Sequence, residues 1–253
     1  VTSTENGCEG PATTVTLTIY NEPPAPIANN EAICEGDIVP EFNATGINIT
    51  WYQNNVIVGT GPTFLPSVIN PGVYTYTLTS TINNCEGSAD TVTLTIYPRP
   101  QASFTFNNVC DGQLIDLVST STSTINHPSG VGSDIISWVW TNNTVPQVIG
   151  VDPILSYNPP GVGIWNISLD IADSNNCTST ISHDIEVYFQ PIADFVSVPV
   201  CDGDSVIFNN TSILDVNHNT TWSWDFDDNN TSSSFEPGHL YNTCDTFQVT
   251  LGL

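Results

Sequence analysis

The clearest candidates for metal chemistry are three aspartates in one acidic turn. Asp225, Asp227 and Asp228 are closely spaced, and Ca²⁺ takes hard oxygen ligands at alternating positions of this kind. The D-x-D-x-D-G loop with a distal Glu is absent, however, so a turn with solvated carboxylates is the simpler interpretation. We therefore expect no metal and no other cofactor, and we keep these three residues as the calcium candidates.

Motifs for catalysis are missing from the sequence. The histidines are scattered, at His127, His183, His218 and His239. No G-x-S-x-G, H-E-x-x-H or Cys-His constellation occurs that would combine a nucleophile with a general base. We therefore expect no catalytic and no cofactor-binding residues, and we expect that the chain is not an enzyme.

The charge balance of the chain excludes several classes of partner. Among 253 residues, 26 are Asp or Glu and a single one, Arg99, is Lys or Arg, which gives a formal net charge of −25. Nucleic-acid binders use Lys and Arg to neutralise phosphates, and the same residues attract proteins to anionic membranes. We therefore expect no nucleic-acid partner and no direct membrane binding. Phosphate clamps are excluded for the same reason, because one cation cannot build them.

Internal repeats indicate how the chain is organised. Residues 5–23 align with residues 82–100 without gaps, and 13 of the 19 positions are identical. A weaker second series between Pro100 and Gly112 recurs between Pro191 and Gly203, at an offset of 91 residues. Periods of this length are too long for a solenoid and suit whole small β-sandwiches.

The repeats divide the chain into four parts. We predict the C-terminal part of a preceding domain at 1–20, complete domains at 26–97 and 98–189, and a domain at 190–253 that is truncated before its last strand. A longer parent chain with similar repeats in both directions is expected.

Strand signals recur within each part. Residues 91–97 alternate apolar side chains with threonine, the period-2 pattern of a strand with one buried face. Trp51 lies inside an earlier predicted strand, and Tyr74 follows a Pro-Gly turn. A central Trp and a Tyr at the entry of the penultimate strand are typical of the immunoglobulin-like sandwich. The predicted fold class is all-β, with tandem sandwich domains as beads on a string.

Seven cysteines in this acidic, methionine-free chain predict disulfide bonds and an exported, oxidising location. One class lies just before the second strand of a predicted domain: Cys34, Cys110 and Cys201. The other class lies after the penultimate strand: Cys8, Cys85 and Cys177. Cys244 stands apart, in the last predicted domain.

Two pairings of these cysteines stay open. The simple scheme joins Cys34 to Cys85 and Cys110 to Cys177 within domains. In an Ig-type sandwich, however, a seven-residue strand separates the two turns by about 23 Å, whereas a disulfide needs Cα atoms about 4.4 to 6.8 Å apart. The other scheme joins Cys34 to Cys177 between neighbouring domains.

The remaining cysteines have simpler expectations. Cys201 and Cys244 would both lie at one end of the last domain, so they could pair locally. Cys8 should lack a partner in either scheme, because its mate would precede residue 1.

The last predicted domain carries the motifs of a known family. Its motif residues include Trp224, Asp225, Phe226, Pro237, His239, Tyr241, Val249, Thr250 and Leu251. This pattern resembles the PKD domain, whose hallmark is W-D-F-G-D-G followed by P-x-H-x-Y and V-T-L. Asp227 and Asn229 stand where the family has glycine, and Asp and Asn tolerate positive φ better than other residues.

The resemblance assigns a type to each predicted domain. It implies a PKD domain at 190–253, a diverged PKD-like sandwich at 98–189 and Ig-like domains at 26–97 and before it. It also implies that His239 is a structural hydrogen-bonding residue of the H-x-Y motif.

Tandem PKD and Ig-like units resemble the stalks of giant cell-surface adhesins of Bacteroidota, including those exported by the type IX system and used in gliding. The resemblance implies an extracellular stalk segment that extends and presents a distal binding tip. Its partners would be further repeats of the same chain and, through the tip, surface polysaccharide, a host or a substratum. The alternative is a carbohydrate-binding or spacer region of a secreted hydrolase, for which the candidate sugar-stacking residues are Trp138, Trp165 and Trp222.

Overall fold

The computed structural model describes residues 1–215 and 219–253, so the candidate His218 lies outside the described residues. Every regular element among those residues is a β-strand, and the all-β fold class is confirmed. The search of the described residues for a helix able to cross a membrane finds none.

Contacts divide the chain into two compact units. The first unit comprises Val1–Gln101, Thr122–Ile136 and Ile171–Ser179, and the second comprises Ala102–Ser121, Ser137–Asp170 and Thr180–Leu253. The four-part division by repeats stays a prediction, and the sandwiches below are defined by their strands.

The chain opens with a short hairpin, β1 (Thr4–Glu5) and β2 (Cys8–Glu9). Its two turn residues, Asn6 and Gly7, both have positive φ, as a tight two-residue hairpin turn requires. Residues 14–20 then repeat the sequence of residues 91–97, yet they form no strand and are exposed.

The first sandwich contains strands β3 to β12: Ile27–Ala28, Glu31–Cys34, Phe42–Thr45, Thr50–Gln53, Val56–Thr60, Thr63–Phe64, Gly72–Thr79, Thr81–Ile82, Cys85–Glu86 and Asp90–Tyr97. Its sheets have the strand orders β4-β12-β9-β6-β7 and β3-β5-β8, and β10 and β11 form a hairpin. The pair β4 and β12 is parallel, and β12 and β9 are antiparallel.

The core of the first sandwich follows from the alternation in β12. Val92, Leu94 and Ile96 are buried while the threonines between them are not, because successive side chains of a strand point to opposite faces. Trp51 is fully buried among aromatic rings, with the Phe64 ring centroid 5.5 Å away.

The second sandwich contains strands β13 to β20: Phe104–Thr105, Val109–Cys110, Ile115–Ser119, Ile135–Asn142, Gln147–Gly150, Ile154–Tyr157, Gly163–Asp173 and Thr178–Tyr188. Its sheets have the orders β14-β20-β19-β16-β17 and β13-β15-β18. These orders repeat those of the first sandwich strand for strand.

The third sandwich contains strands β21 to β26: Phe195–Ser197, Val206–Asn210, Ser223–Asp225, Thr231–Ser232, Gly238–His239 and Thr250–Gly252. Its sheets have the orders β21-β22-β25 and β24-β23-β26. Its core is built on three buried aromatic residues, Phe208, Trp224 and Phe226.

One tryptophan marks the same position in all three cores. Each is fully buried, and each indole N–H donates to a backbone carbonyl 10 to 12 residues later: Trp51 to Gly61 at 3.0 Å, Trp140 to Asp152 at 2.7 Å and Trp224 to Ser234 at 2.8 Å. Burying an indole without a partner for its N–H would be costly, so this bond is part of the repeated core.

Candidate functional site: the stapled junction

A tight turn at the end of β4 presents Cys34. The N–H of Asp37 donates to the carbonyl of Cys34 at 3.0 Å, and the Asp37 carboxylate accepts from the N–H of Cys34 at 3.1 Å. Gly36 has a φ of 84°, which only glycine adopts readily. The N–H of Glu35 donates to the carbonyl of Tyr97 at 2.7 Å. The turn is thereby fixed against the end of β12.

The hairpin between β19 and β20 presents Cys177, which is fully buried. Asp173 organises this hairpin, because its Oδ1 accepts from the N–H groups of Asn175 at 3.0 Å and Cys177 at 2.8 Å. Asn176 has a positive φ of 62°, a conformation that Asn tolerates. The Cys177 side chain is therefore held by a preorganised loop.

Cys34 and Cys177 form a disulfide bond across 143 residues of sequence, with Cα atoms 5.6 Å apart. Of the two pairings that the sequence left open, this is the one between neighbouring sandwiches. It joins the turn after β4 of the first sandwich to the hairpin before β20 of the second, and both segments belong to the first compact unit.

The pairing of Cys34 with Cys85 within one sandwich is wrong, and the register of β12 gives the reason. Cys34 lies opposite Tyr97 at the end of β12, whereas Cys85 precedes Asp90 at its beginning. An eight-residue strand separates the two ends by about 26 Å.

The other expected bonds are also absent. Cys110 does not bond to Cys177, because Cys177 is already bonded to Cys34. Cys201 and Cys244 line one open groove, and no bond joins them across it. The free thiols are those of Cys8, Cys85, Cys110, Cys201 and Cys244.

Arg99 bridges the two segments that the disulfide joins. Its Nε donates to the carbonyl of Glu35 at 2.7 Å, and its Nη2 lies 2.5 Å from Oδ1 of Asp37. Its Nη1 donates to the carbonyl of Thr178 at 3.0 Å, next to Cys177. The planar guanidinium fork suits such multiple contacts better than a lysine would.

Sequence reasoning missed this role of Arg99. The signal was available, since the one basic residue of the chain stands in a linker between two prolines, Pro98 and Pro100. The Cys34–Cys177 bond and Arg99 together define the stapled junction, a cross-link reinforced by hydrogen bonds on both sides.

The three calcium candidates make separate hydrogen bonds with other groups. Asp225 accepts from the N–H of Asp227 at 3.0 Å, and Asp227 accepts from the N–H of Gln248 at 2.9 Å. Asp228 lies 2.8 Å from His239. Within residues 1–215 and 219–253, no group of three or more His, Cys, Asp or Glu side chains is arranged to hold a metal ion.

The Asp228–His239 contact joins two family motifs. Burial acts to raise the pKa of the Asp228 carboxyl, but hydrogen bonds from His239 and Asn230 outweigh burial and hold this pKa below its usual value. The His239 ring stacks on Phe226 with centroids 4.1 Å apart. The expected structural role of His239 agrees with this geometry. The other described histidines, His127 and His183, do not join it: His127 contacts Ser129, and the His183 ring packs on Phe104.

The three candidate sugar-stacking tryptophans are all partly buried rather than exposed. Trp222 packs edge-on against Phe235, with ring centroids 5.3 Å apart. The Trp165 indole N–H donates to the carbonyl of Gly161 at 2.8 Å. Trp138 lies in β16, two residues before the core residue Trp140. These positions do not form an exposed aromatic platform.

The Trp165 contact repeats the expected tyrosine corner of the first sandwich. There the Tyr74 hydroxyl donates to the carbonyl of Asn70 at 2.9 Å, again four residues upstream. Tyr74 is thus the corner residue that its position predicted, and Trp165 takes the same place in the second sandwich.

Comparison with protein families identifies one segment of the chain. Residues 188–252 match the family model of the PKD domain. No curated protein matches the chain. The PKD1 domain of Vibrio anguillarum Epp is 18% identical, with a TM-score of 0.30, over 36% of this chain and 96% of that domain.

Two further solved structures are assemblies of several sandwiches. The fibronectin(III)-like modules of Clostridium thermocellum CbhA are 13% identical, with a TM-score of 0.35, over 65% of this chain and 94% of that one. A three-domain immunoglobulin fragment of titin is 13% identical, with a TM-score of 0.48, over 92% of this chain and 88% of that one. The described part of the chain is therefore a series of β-sandwiches by its own strand orders, and its segment 188–252 matches the PKD domain.

Proposed function

We propose that this chain is a structural stalk segment of a long cell-surface adhesin or filament, which extends and presents a distal binding tip. The observation that carries the proposal is the stapled junction. A disulfide and the guanidinium of Arg99 tie one sandwich to the hairpin of the next. Such a cross-link lets tension pass from one sandwich to the next without extending the chain between them, which suits a segment that extends and presents a tip.

The disulfide also changes which residues carry a pulling force. Tension applied at the two ends of the chain passes from Cys34 directly to Cys177 and bypasses the segment between them, across a sequence separation of 143 residues. That segment contains most strands of the first two sandwiches. The staple therefore protects these strands from extension, as a stalk under load requires.

The proposed location is extracellular, at the cell surface. A structural disulfide suits an oxidising compartment, and PKD and Ig-like repeats suit exported proteins. Export by a type IX system, an origin in Bacteroidota and a part in gliding belong to the same proposal. The partners would be neighbouring repeats and, through the tip, surface polysaccharide, a host or a substratum, with no nucleic acid and no direct membrane contact. No catalytic role is proposed.

A domain-swap experiment tests the stalk function. In the parent protein, this segment is replaced by unrelated β-sandwiches of equal length, or it is deleted. Adhesion of intact cells should survive the replacement, because the length of the stalk is unchanged. It should weaken with the deletion, because the tip then reaches less far from the cell. Antibodies against the segment should label the cells without permeabilisation.

A glycan array with the 253-residue chain separates this function from the carbohydrate-binding alternative. We expect no glycan to be retained, since the candidate tryptophans are partly buried. Loss of adhesion on replacement, together with a bound glycan, would overturn the stalk proposal.

A further inference from the structure

Each sandwich has an edge strand beside its core tryptophan. β7 in the first sandwich, β17 in the second and β24 in the third each pair with the strand that carries Trp51, Trp140 or Trp224. In the part of the chain that the structure describes, no strand pairs with the other side of these three. Such an edge leaves backbone N–H and C=O groups open to another chain, so natural sheets usually protect it.

β7 and β17 match each other residue by residue. Ile57 and Val148 lie at the same position, opposite the residue that follows the core tryptophan. In both strands the register then shifts by one residue, which leaves Val58 and Ile149 without a partner in the ladder. Ile57 and Val148 are also exposed to similar extents, 60% and 56%. The two edges therefore differ only in what surrounds them.

Two of the three edges are protected by their neighbours in sequence. Pro146 immediately precedes β17, and Asp152 follows it closely. β24 lies between the acidic turn and Glu236. Proline cannot donate to a ladder, and charges at an edge oppose pairing with a further strand. β7 lacks both devices, since residues 53–61 contain neither a proline nor a charged side chain.

The longest uncharged stretch of the chain surrounds β7. Residues 42–85 contain no Asp, Glu, Lys, Arg or His. Within that stretch β7 presents three consecutive apolar residues to solvent, Val56, Ile57 and Val58. The formal net charge of −25 makes two copies repel each other wherever their acidic surfaces meet. At β7 two copies can approach without bringing like charges together.

The hairpin fixes the direction of the backbone groups of Ile57. Asn54 and Asn55 form a two-residue turn with positive φ, and Gln53 and Val56 are the pair that flanks it. The flanking residues of such a turn are hydrogen-bonded to each other, and bonded and non-bonded pairs alternate along an antiparallel ladder. The N–H and C=O of Ile57 therefore point away from β6, toward the open edge.

We propose that two copies of this chain associate through β7, strand against strand, around a two-fold axis. Ile57 of each copy exchanges two N–H···O bonds with Ile57 of the other, and Val56 of each copy faces Val58 of the other. The contact is self-complementary and closes at two copies. It joins two five-stranded sheets into one continuous sheet.

Charge favours a second copy over other occupants of this edge. A basic protein is attracted to the acidic surfaces elsewhere on the chain and gains nothing from an uncharged strand. An acidic partner is repelled except where both surfaces are uncharged. The β7 edge meets that condition when it faces its own copy, and the antiparallel pairing of identical strands satisfies the backbone groups of both.

The contact is weak by construction. The bulge at Val58 increases the local twist of β7 and keeps the paired stretch short. Three apolar residues per copy bury less than the roughly 1,000 Å² that a stable interface needs, so the dimer forms at high protein concentration. Stalks tethered side by side reach effective concentrations in that range. Lateral association of stalks rests on the proposed function, whereas dimerisation of the chain does not.

The test is sedimentation equilibrium of the 253-residue protein from micromolar to millimolar concentration, with its free thiols alkylated so that no covalent dimer forms. The mean mass should rise from 27.3 kDa toward twice that value and no further. The dimer should form more readily at about 0.5 M salt, where the screening length is about 4 Å, than at about 0.02 M, where it is about 20 Å.

Two variants with the same change of charge locate the contact. Ile57→Glu places two carboxylates opposite each other at the centre of the dimer and should weaken association by at least about tenfold, because like charges directly opposite destabilise an antiparallel pair. Val148→Glu changes the equivalent position of β17 and should leave the association constant unchanged. Both side chains are exposed, so both variants should keep the urea midpoint of the native chain.

Amide hydrogen exchange gives a second readout that needs no variant. The N–H of Ile57 should exchange more slowly as the fraction of dimer rises, because it then donates to the other copy, whereas the N–H of Val148 should be unaffected.

Three results would overturn the proposal: a monomer at millimolar concentration in about 0.5 M salt, oligomers that continue past the dimer, or an Ile57→Glu dimer as tight as the native one. None of them changes what the adhesion swap measures, so the dimer contact and the stalk function can fail separately.

Discussion

Removal of the Cys34–Cys177 bond should let a pulling force extend the chain between the two cysteines, which the bond otherwise shields. With the disulfide intact, pulling on the ends of the chain cannot extend the residues between the two cysteines. The double variant Cys34→Ser/Cys177→Ser, or the native chain in reductant, lets them extend. The matched control is Cys85→Ser/Cys110→Ser, which removes two free thiols and leaves the bond in place.

The magnitude follows from the sequence separation of 143 residues. An extended chain reaches about 3.4 Å per residue, so the bond hides about 490 Å of contour length. The native chain should therefore extend to about 370 Å and the double variant to about 860 Å. Loss of the bond should also lower the free energy of unfolding by about 2 to 5 kcal/mol, because closing so long a loop restricts the unfolded chain.

Single-molecule force spectroscopy of the 253-residue chain measures the first quantity, and urea unfolding followed by tryptophan fluorescence measures the second. The control variant should behave as the native chain does in both. If the native chain extends to about 860 Å without reductant, the Cys34–Cys177 bond does not bypass the segment and the mechanical reasoning is wrong.

Three further changes probe the junction and the cores. Arg99→Ala should lower the unfolding free energy by at most about 1 kcal/mol, since the ion pair with Asp37 is over a third exposed. Arg99→Lys should recover only part of this loss. Equal urea midpoints for the native chain and both variants would show that Arg99 does not stabilise the stapled junction. The lowered pKa of Asp228 gives stability that is present above about pH 4 and lost as pH falls through the lowered value. The acid unfolding of Asp228→Asn should therefore depend less steeply on pH than that of the native chain. The control Glu236→Gln, on the exposed surface, should leave the acid unfolding curve unchanged. Tyr74→Phe should lower the free energy of unfolding by about 0.5 to 1.5 kcal/mol, because it removes the hydrogen bond to the Asn70 carbonyl. The control is Tyr20→Phe, whose ring is half exposed. If Tyr74→Phe loses no more stability than this control, the tyrosine corner does not stabilise the sandwich.

Local patterns were enough to predict the building blocks of this protein. The alternation in residues 91–97 predicted which side chains of β12 are buried, and the spacing of Trp51 and Tyr74 predicted a buried centre and a corner bond. The reason is that strand periodicity and turn chemistry act over a few residues and need no knowledge of distant segments. The acidic turn shows a local contact of the same kind, since the N–H of Asp227 donates to the Asp225 carboxylate two residues earlier.

Contacts between segments far apart in sequence were harder to predict. The sequence left two pairings of Cys34 open, and it missed the part of Arg99, because both depend on how the turn after β4 meets a hairpin 143 residues later. The local bond expected between Cys201 and Cys244 is also absent: both residues line one open groove, and the distance between their loops is set by tertiary packing that no local pattern specifies.

The amino-acid sequence by itself determined that this chain is all-β, repetitive, acidic and poor in cations, because composition and periodicity are local or global sums over residues. Only the tertiary structure decided which cysteine meets which and what the single arginine holds. The reason is that these contacts join the turn after β4 to a hairpin 143 residues later, whereas periodicity and turn chemistry act over a few residues.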